Sequence, residues 1–207
     1  MKPRCTALTL DPRMLRVPSS TVDFPSILYG GGHKEEAKSR WMIQNYQLLS
    51  RPRKTFNVLG ISQGDPNQGL NKAFGQLQGF TGPPKGNFRN YDVATLRMSD
   101  SIKVDPNSYD DLTTAASAAL ARHSEIDFAM LFLESKSPSA YAHFKNLVDR
   151  QLGIHSVCIT RRCIEGKIGE KVSNIVLKMN LKATGTNHST TGGMIEKHLP
   201  DTLVLGA

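Results

Sequence analysis

From about residue 55 onward the apolar positions of this chain fall into two alternating rhythms. Short runs rich in β-branched and aromatic residues predict strands, and longer stretches with a period near 3.6 predict helices. The first run, "TFNVLGIS" (55–62), closes at the turn signal "QGDPN". It leads into 67–80, where Leu70, Phe74 and Leu77 share helical spacing. "TGPPKGNFRN" (81–90) reads as loop, and "DVATLRMS" (92–99) as a second strand. The stretch 108–125 is the best-marked helix: Ser108 at its cap, acids in the first turn, and Leu112, Ala115, Ala116, Ala119 and Leu120 on one face. "IDFAMLFLE" (126–134) is almost wholly apolar, as expected of a central parallel strand covered on both sides. A helix over 137–153, with a Ser cap, Pro at its start and Gly at its end, precedes a strand over 154–160 and a helix over 167–185.

Four such alternations predict an α/β fold, a Rossmann-like open parallel sheet of about four strands flanked by helices. Outside this core (about 55–183), residues 1–24 read as irregular, and 24–32 and 40–49 as short strands or edges. Residues 184–193 read as a polar linker, and 201–207 as a strand that begins where the chain ends.

Composition narrows the picture modestly. At 207 residues and 22.8 kDa, one substantial core is affordable. No apolar run approaches the roughly 18 residues of a membrane span, and the N-terminus is a poor signal peptide. Cys5, Cys158 and Cys163 form no CxxC pair, so a reduced, cytoplasmic setting is expected and a zinc site is not. A net charge of +8 favours polyanionic partners without naming one.

Familiar chemistry is missing from the strand-to-helix loops. Gly60, Gly64 and Gly69 are wrongly spaced for a dinucleotide fingerprint, and no phosphate-loop motif occurs. Asp110 and Asp111 sit where acids complement a helix dipole. The six histidines are scattered, with no carboxylate or cysteine at ligand spacing. The expectation is a protein with no catalytic motif, no metal and no cofactor.

Two features stand out instead. Tyr141 and Lys145 lie one turn apart at the start of a helix, after the Ser-rich loop "ESKSPSA" (134–140). Further on, Lys167, Lys171, Asn174, Lys178 and Lys182 fall in one stripe, beside an apolar face of Ile168, Val172, Ile175, Val176 and Met179. Lys178 and Lys182 repel one another across one turn with no acid between them. An aromatic with a lysine one turn on, beneath a Ser-rich loop of free N–H donors, is how a phosphate-plus-base pocket is built. A single-sign stripe that flanks the core can lie along a crevice between its helix and the neighbouring one. Two other readings share these residues: an α/β enzyme acting on a phosphorylated small molecule, and a basic protein-interaction module.

The segment "SAYAHFKNLVDRQLGIHSVCI…KVSNIVLKMNLKATGTNH" resembles the MID domain of eukaryotic Argonautes. The pattern is carried by Tyr141 and Lys145; Leu152, Gly153, Ser156 and Cys158; then Ser173, Asn174, Leu177, Lys178, Asn180, Lys182, Gly185 and Asn187. "PSILYGG" (25–31) resembles the junction of the family's second linker with MID, and "TLVLGA" (202–207) resembles the first PIWI strand. Loop composition leans toward a fungal member.

The resemblance implies a linker over 1–24, a MID domain over 25–183, and over 184–207 a linker and first strand of PIWI, short of its catalytic carboxylates. Tyr141 would stack on the first base of a small guide RNA in RNA silencing. Lys145, Lys178 and Lys182, with Tyr141 and Ser156, would grip its 5′-monophosphate. Glu134, Ser135, Lys136, Ser137, Pro138, Ser139 and Ala140 would form the nucleotide-specificity loop. Val157 stands where animal members place a phosphate-binding Gln, so Ser156 or Thr160 would substitute, with Cys158 and Asn174 as further candidates. Expected partners are guide RNA, nucleoside 5′-monophosphates in vitro, and the PAZ and PIWI parts of its own chain, with no membrane and a monomeric state.

Overall fold

The computed structural model describes residues 25–36, 47–52, 55–66, 69–81, 95–165 and 168–191. The segments expected over 1–24 and 201–207, and most of that over 40–49, lie outside the described residues.

The elements in chain order are β1 (Ser26–Leu28), β2 (Lys34–Glu36), β3 (Phe56–Ser62), α1 (Leu70–Thr81), β4 (Leu96–Lys103), α2 (Tyr109–Arg122), β5 (Phe128–Leu133), α3 (Pro138–Lys145), β6 (His155–Thr160), α4 (Arg161–Ile164), α5 (Ile168–Lys182) and β7 (Ser189–Thr191). A π-helical turn (Asn146–Gln151) continues α3. Strands β4-β3-β5-β6 form a four-stranded sheet in that order, every pairing parallel. The α/β expectation is therefore met.

Alternation along the strands divides the core in two. Phe56, Val58, Phe128, Met130, Phe132, Val157 and Ile159 face α1 and α5, which contribute Leu70, Phe74, Leu77, Val172, Val176 and Met179. Leu59, Ile61, Ala129, Leu131 and Leu133 face α2 and α3, with Leu112, Ala116, Ala119, Ala140 and Phe144. All six residues of β5 are buried, as its unbroken apolar run demands of a strand with neighbours on both sides and helices on both faces.

Helix starts follow the cap signals. The Ser108 side chain accepts from the Asp111 N–H, and Ser137 accepts from the Ala140 N–H ahead of Pro138. Gly153 adopts φ 67°, the left-handed conformation that ends the α3 rod and that glycine reaches without penalty.

Three local expectations need correction. The second core strand, described as Leu96–Lys103, runs past the expected end at 99: its polar half, "SDSIK", pairs at the sheet edge, where one free side tolerates such residues. The helix expected over 137–153 is α-helical only to Lys145 and then widens. The supposed linker 184–193 carries β7, which pairs antiparallel with β1, itself paired with β2, in a small three-stranded sheet.

A polar knot fastens this second sheet to the core. Asn180, fully buried near the end of α5, donates from Nδ2 to the Ser50 carbonyl (3.2 Å) and to Asn187 Oδ1 (2.9 Å). Asn187 donates in turn to the Leu177 carbonyl (3.2 Å). A Cβ on Gly185 would stand 2.2 Å from Asn180 Oδ1, so glycine is required for this close approach. Replacing Asn180 with Ala should lower the free energy of unfolding by about 1–3 kcal/mol, the usual cost of stranding buried hydrogen-bonding groups. Chemical denaturation of the single variants and of the double variant with Asn187→Ala should give less than additive losses, because the two side chains share one network.

Candidate functional site

Ala140 and Phe144 anchor α3 against the sheet, which leaves Tyr141 and Lys145 on the flank of the helix. Tyr141 is 50% exposed, unusual for a large aromatic ring in a helix with a well-formed apolar face. The Lys145 ammonium lies 5.7 Å from the centre of that ring, within cation–π range. On α5, burial of Val172, Val176 and Met179 sets Lys182 at the border of the core.

These two lysines arrive from opposite faces of the parallel sheet and meet at its edge strand, β6. Lys145 Nζ donates to Ser156 Oγ and to Asp149 Oδ2 (3.1 Å). Lys182 Nζ donates to the Ser156 carbonyl (2.8 Å) and, at 3.4 Å, to its Oγ. Asp149 Oδ1 lies 3.6 Å from Lys182 Nζ. One serine and one carboxylate thus hold two ammonium groups together.

The charges respond to this crowding. Burial and then the neighbouring Lys145 charge push the Lys182 pKa below its ordinary value, with Asp149 only partly opposing. For Asp149, burial pulls upward, but hydrogen bonds from Ser156 and Lys145 and the two lysine charges outweigh it, so its pKa falls below the usual value. Cys158, next along β6 on the same side as Ser156, is pushed up to about 11 by burial and stays a neutral thiol.

The remaining expected residues are placed as follows. Lys178 is exposed and has no hydrogen-bond or ion-pair partner among the described residues, one turn from Lys182. Asn174 is exposed a turn further along α5. Val157 is no ligand candidate: it belongs to the apolar layer under α5, and its alternation along β6 turns it away from Ser156. Thr160 contacts Cys163 Sγ at 3.4 Å. In the 134–140 loop, Ser135, Lys136 and Pro138 are exposed and Ala140 is buried. Ser137 and Ser139 both donate to Asn107 Oδ1, at 2.8 and 2.9 Å, and Glu134 pairs with Arg161 at the start of α4. The loop is therefore tied down on two sides.

Open parallel sheets commonly take ligands at the strand carboxyl ends, helped by helix N-termini. The lysine cluster lies instead beside the amino end of β6, at its second residue, and Lys182 is the last residue of α5. A helix C-terminus favours a cation, so the dipole holds the lysine and does not itself attract an anion.

Sequence reasoning missed Asp149, Asn107 and Arg161. Asp149 carried a readable signal, four residues after Lys145 on the same helical rod. Asn107, from a loop, and Arg161, from the start of α4, are distant in sequence from residues 134–139, and only the fold brings them there.

No family model matches the chain. The fold is similar to part of the C-terminal lobe of Argonautes. It aligns with the C-terminal lobe of a budding yeast Argonaute at TM-score 0.63 and 18% identity, over 82% of this chain and 38% of that one. It aligns with Kluyveromyces polysporus Argonaute, solved with a guide RNA, at TM-score 0.63 and 18% identity, over 87% of this chain and 23% of that one. By sequence the chain is homologous to Argonaute: it is 26% identical over 218 residues to the Argonaute of Schizosaccharomyces pombe, matching over 96% of its own length and spanning 24% of that protein.

The depressed Asp149 pKa has a defined consequence for stability. Because its folded pKa lies below its unfolded one, the ion pairs add stability that is present at neutral pH and is lost as pH falls through the folded value. In urea denaturation at successive pH values below about 5, the wild-type chain should lose stability more steeply than Asp149→Asn.

Proposed function

We propose that this chain anchors the 5′-monophosphorylated terminal nucleotide of a small guide RNA, acting as the MID module (residues 25–183) of an Argonaute in RNA silencing. The observation that carries this reading is the meeting of Lys145 and Lys182 at Ser156, with the half-exposed Tyr141 ring 5.7 Å from Lys145. Lys178, exposed one turn from Lys182, supplies a third cation. A phosphate monoester carries about −1.5 to −2 charges at neutral pH, a load that converging ammonium groups and a serine hydroxyl can meet with charge-assisted hydrogen bonds.

Tyr141 offers the face on which a terminal base stacks, a contact worth about 1–3 kcal/mol and tolerant of base identity. Base preference then rests with the loop 134–140, whose exposed residues are held on a frame formed by Asn107 and Arg161. The similarity to an Argonaute solved with a guide RNA supports the ligand class. The role is binding rather than chemistry, and PAZ and PIWI regions of an Argonaute chain would be its intramolecular partners, with residues 184–207 leading into PIWI.

Titration with the four nucleoside 5′-monophosphates should show weak saturable binding without turnover, and the corresponding nucleosides should not bind. Tyr141→Ala should weaken binding about 5- to 150-fold, the equivalent of the stacking energy. Lys182→Gln should weaken it about 10-fold or more, as loss of a charge-assisted hydrogen bond does. Turnover of a phosphorylated metabolite would instead favour an enzyme, and binding of acidic peptides with indifference to the phosphate would favour an interaction module.

A further inference from the structure

The lysine pair is not free to receive an anion: it already holds one. Asp149 lies 3.1 Å from Lys145 Nζ and 3.6 Å from Lys182 Nζ, and it engages both lysines with different oxygens. We infer that Asp149 is a specificity-determining residue, an internal competitor whose carboxylate sets a charge threshold, so that a dianionic phosphate monoester is accepted and a singly charged phosphodiester is refused. This inference rests on the nucleotide-anchoring reading above and adds to it the basis on which a chain terminus is distinguished from internal backbone.

The placement of Asp149 is built into the backbone. After Lys145 the helix widens into a π turn: the Leu152 N–H bonds the Leu147 carbonyl at 2.9 Å, and the Ile154 N–H reaches the Val148 carbonyl at 3.0 Å. Such single wide turns recur at functional sites. Here the turn keeps Leu147 and Val148 in the core while Asp149 stays at the sheet edge, where helices from the two faces approach one another.

The threshold follows from exchange of partners. A ligand that takes the two ammonium groups must replace what the carboxylate gives them. A monoanion offers them one charge, which is what they have already, so the exchange yields little. A monoester with nearly two charges offers about twice as much and repays the lost ion pairs. The groups facing Asp149 are Lys145 from α3, Lys182 from α5 and the Ser156 hydroxyl from β6. The carboxylate remains ionised well below neutral pH, since its pKa is depressed, and Cys158, which also feels the Lys145 charge, remains neutral. Between pH 5 and 8 the ligand's own charge changes, as its second phosphate proton binds near pH 6.

The test compares uridine 5′-monophosphate with its 5′-methyl ester, which has the same base and sugar but one charge, on the 207-residue chain and on Asp149→Asn and Asp149→Ala. Thermal unfolding verifies that each variant is folded, and the isosteric Asn variant decides the matter if the Ala variant is not. The wild-type chain should prefer the monoester strongly, and its affinity should drop as pH falls from 7.5 to 5. In Asp149→Asn the methyl ester should bind several-fold tighter, the monoester-to-diester ratio should shrink at least about fivefold, and the pH profile should flatten. An unchanged ratio and profile would overturn the inference, as would weaker binding of both ligands, which would make the carboxylate only a support for the lysines. If the wild-type chain binds the monoester no better than uridine, the anchoring reading itself falls, and the threshold with it; if it does prefer the monoester, only the role of Asp149 is at stake.

Discussion

The organisation of this molecule depends on β6 being an edge strand. Helices on opposite faces of a parallel sheet are separated by the sheet itself, and their side chains can meet only around its border. With the strand order β4-β3-β5-β6, α3 on one face and α5 on the other both overhang β6, and lysines from each close on Ser156. An edge strand also leaves backbone groups unpaired by a neighbour, and Lys182 takes the Ser156 carbonyl as one of its partners. The convergence of charge is thus a consequence of topology, and Ser156 is its centre because it offers both a hydroxyl and that carbonyl.

Bringing two ammonium groups to one point has an electrostatic cost, visible in the depressed pKa of Lys182. Asp149 offsets part of it, and the π turn that positions Asp149 is the one place where the α3 rod departs from regular helical geometry. A site so arranged is held in shape by its own ion pairs. The Tyr141 ring is exposed and lies against that network at Lys145. The 134–140 loop is fixed independently, through Asn107 and Arg161, so the lysine cluster and the loop are separable parts of one surface.

The small antiparallel sheet has a different role. By pairing β7 with β1, and Ser50 with Thr186 in an isolated bridge, it binds the segments before and after the parallel core to each other. The Asn180–Asn187–Ser50 knot then joins that sheet to the end of α5, the same turn that presents Lys182. Several residues that carried the family resemblance, Asn180, Gly185 and Asn187, take part in this knot. They keep the last turn of α5 in place.

Much of the fold was legible in the sequence. The apolar run of β5, the caps at Ser108 and Ser137 and the alternating strand and helix periods are local signals of burial and backbone geometry, and they determine the α/β class. Tyr141, Lys145 and the lysine stripe of α5 were also readable, since helical spacing alone puts each set on one face. What spacing does not encode is which strand lies at the border, that the cluster lies at the amino end of β6 rather than at the strand carboxyl ends, or that Asp149 bridges the two lysines. Those are relations between residues distant along the chain, and they depend on strand order and helix packing. The sequence alone determined which charges are present and on which face each helix carries them; the tertiary structure decided that they meet, because only packing around a sheet edge brings opposite faces within reach of one another.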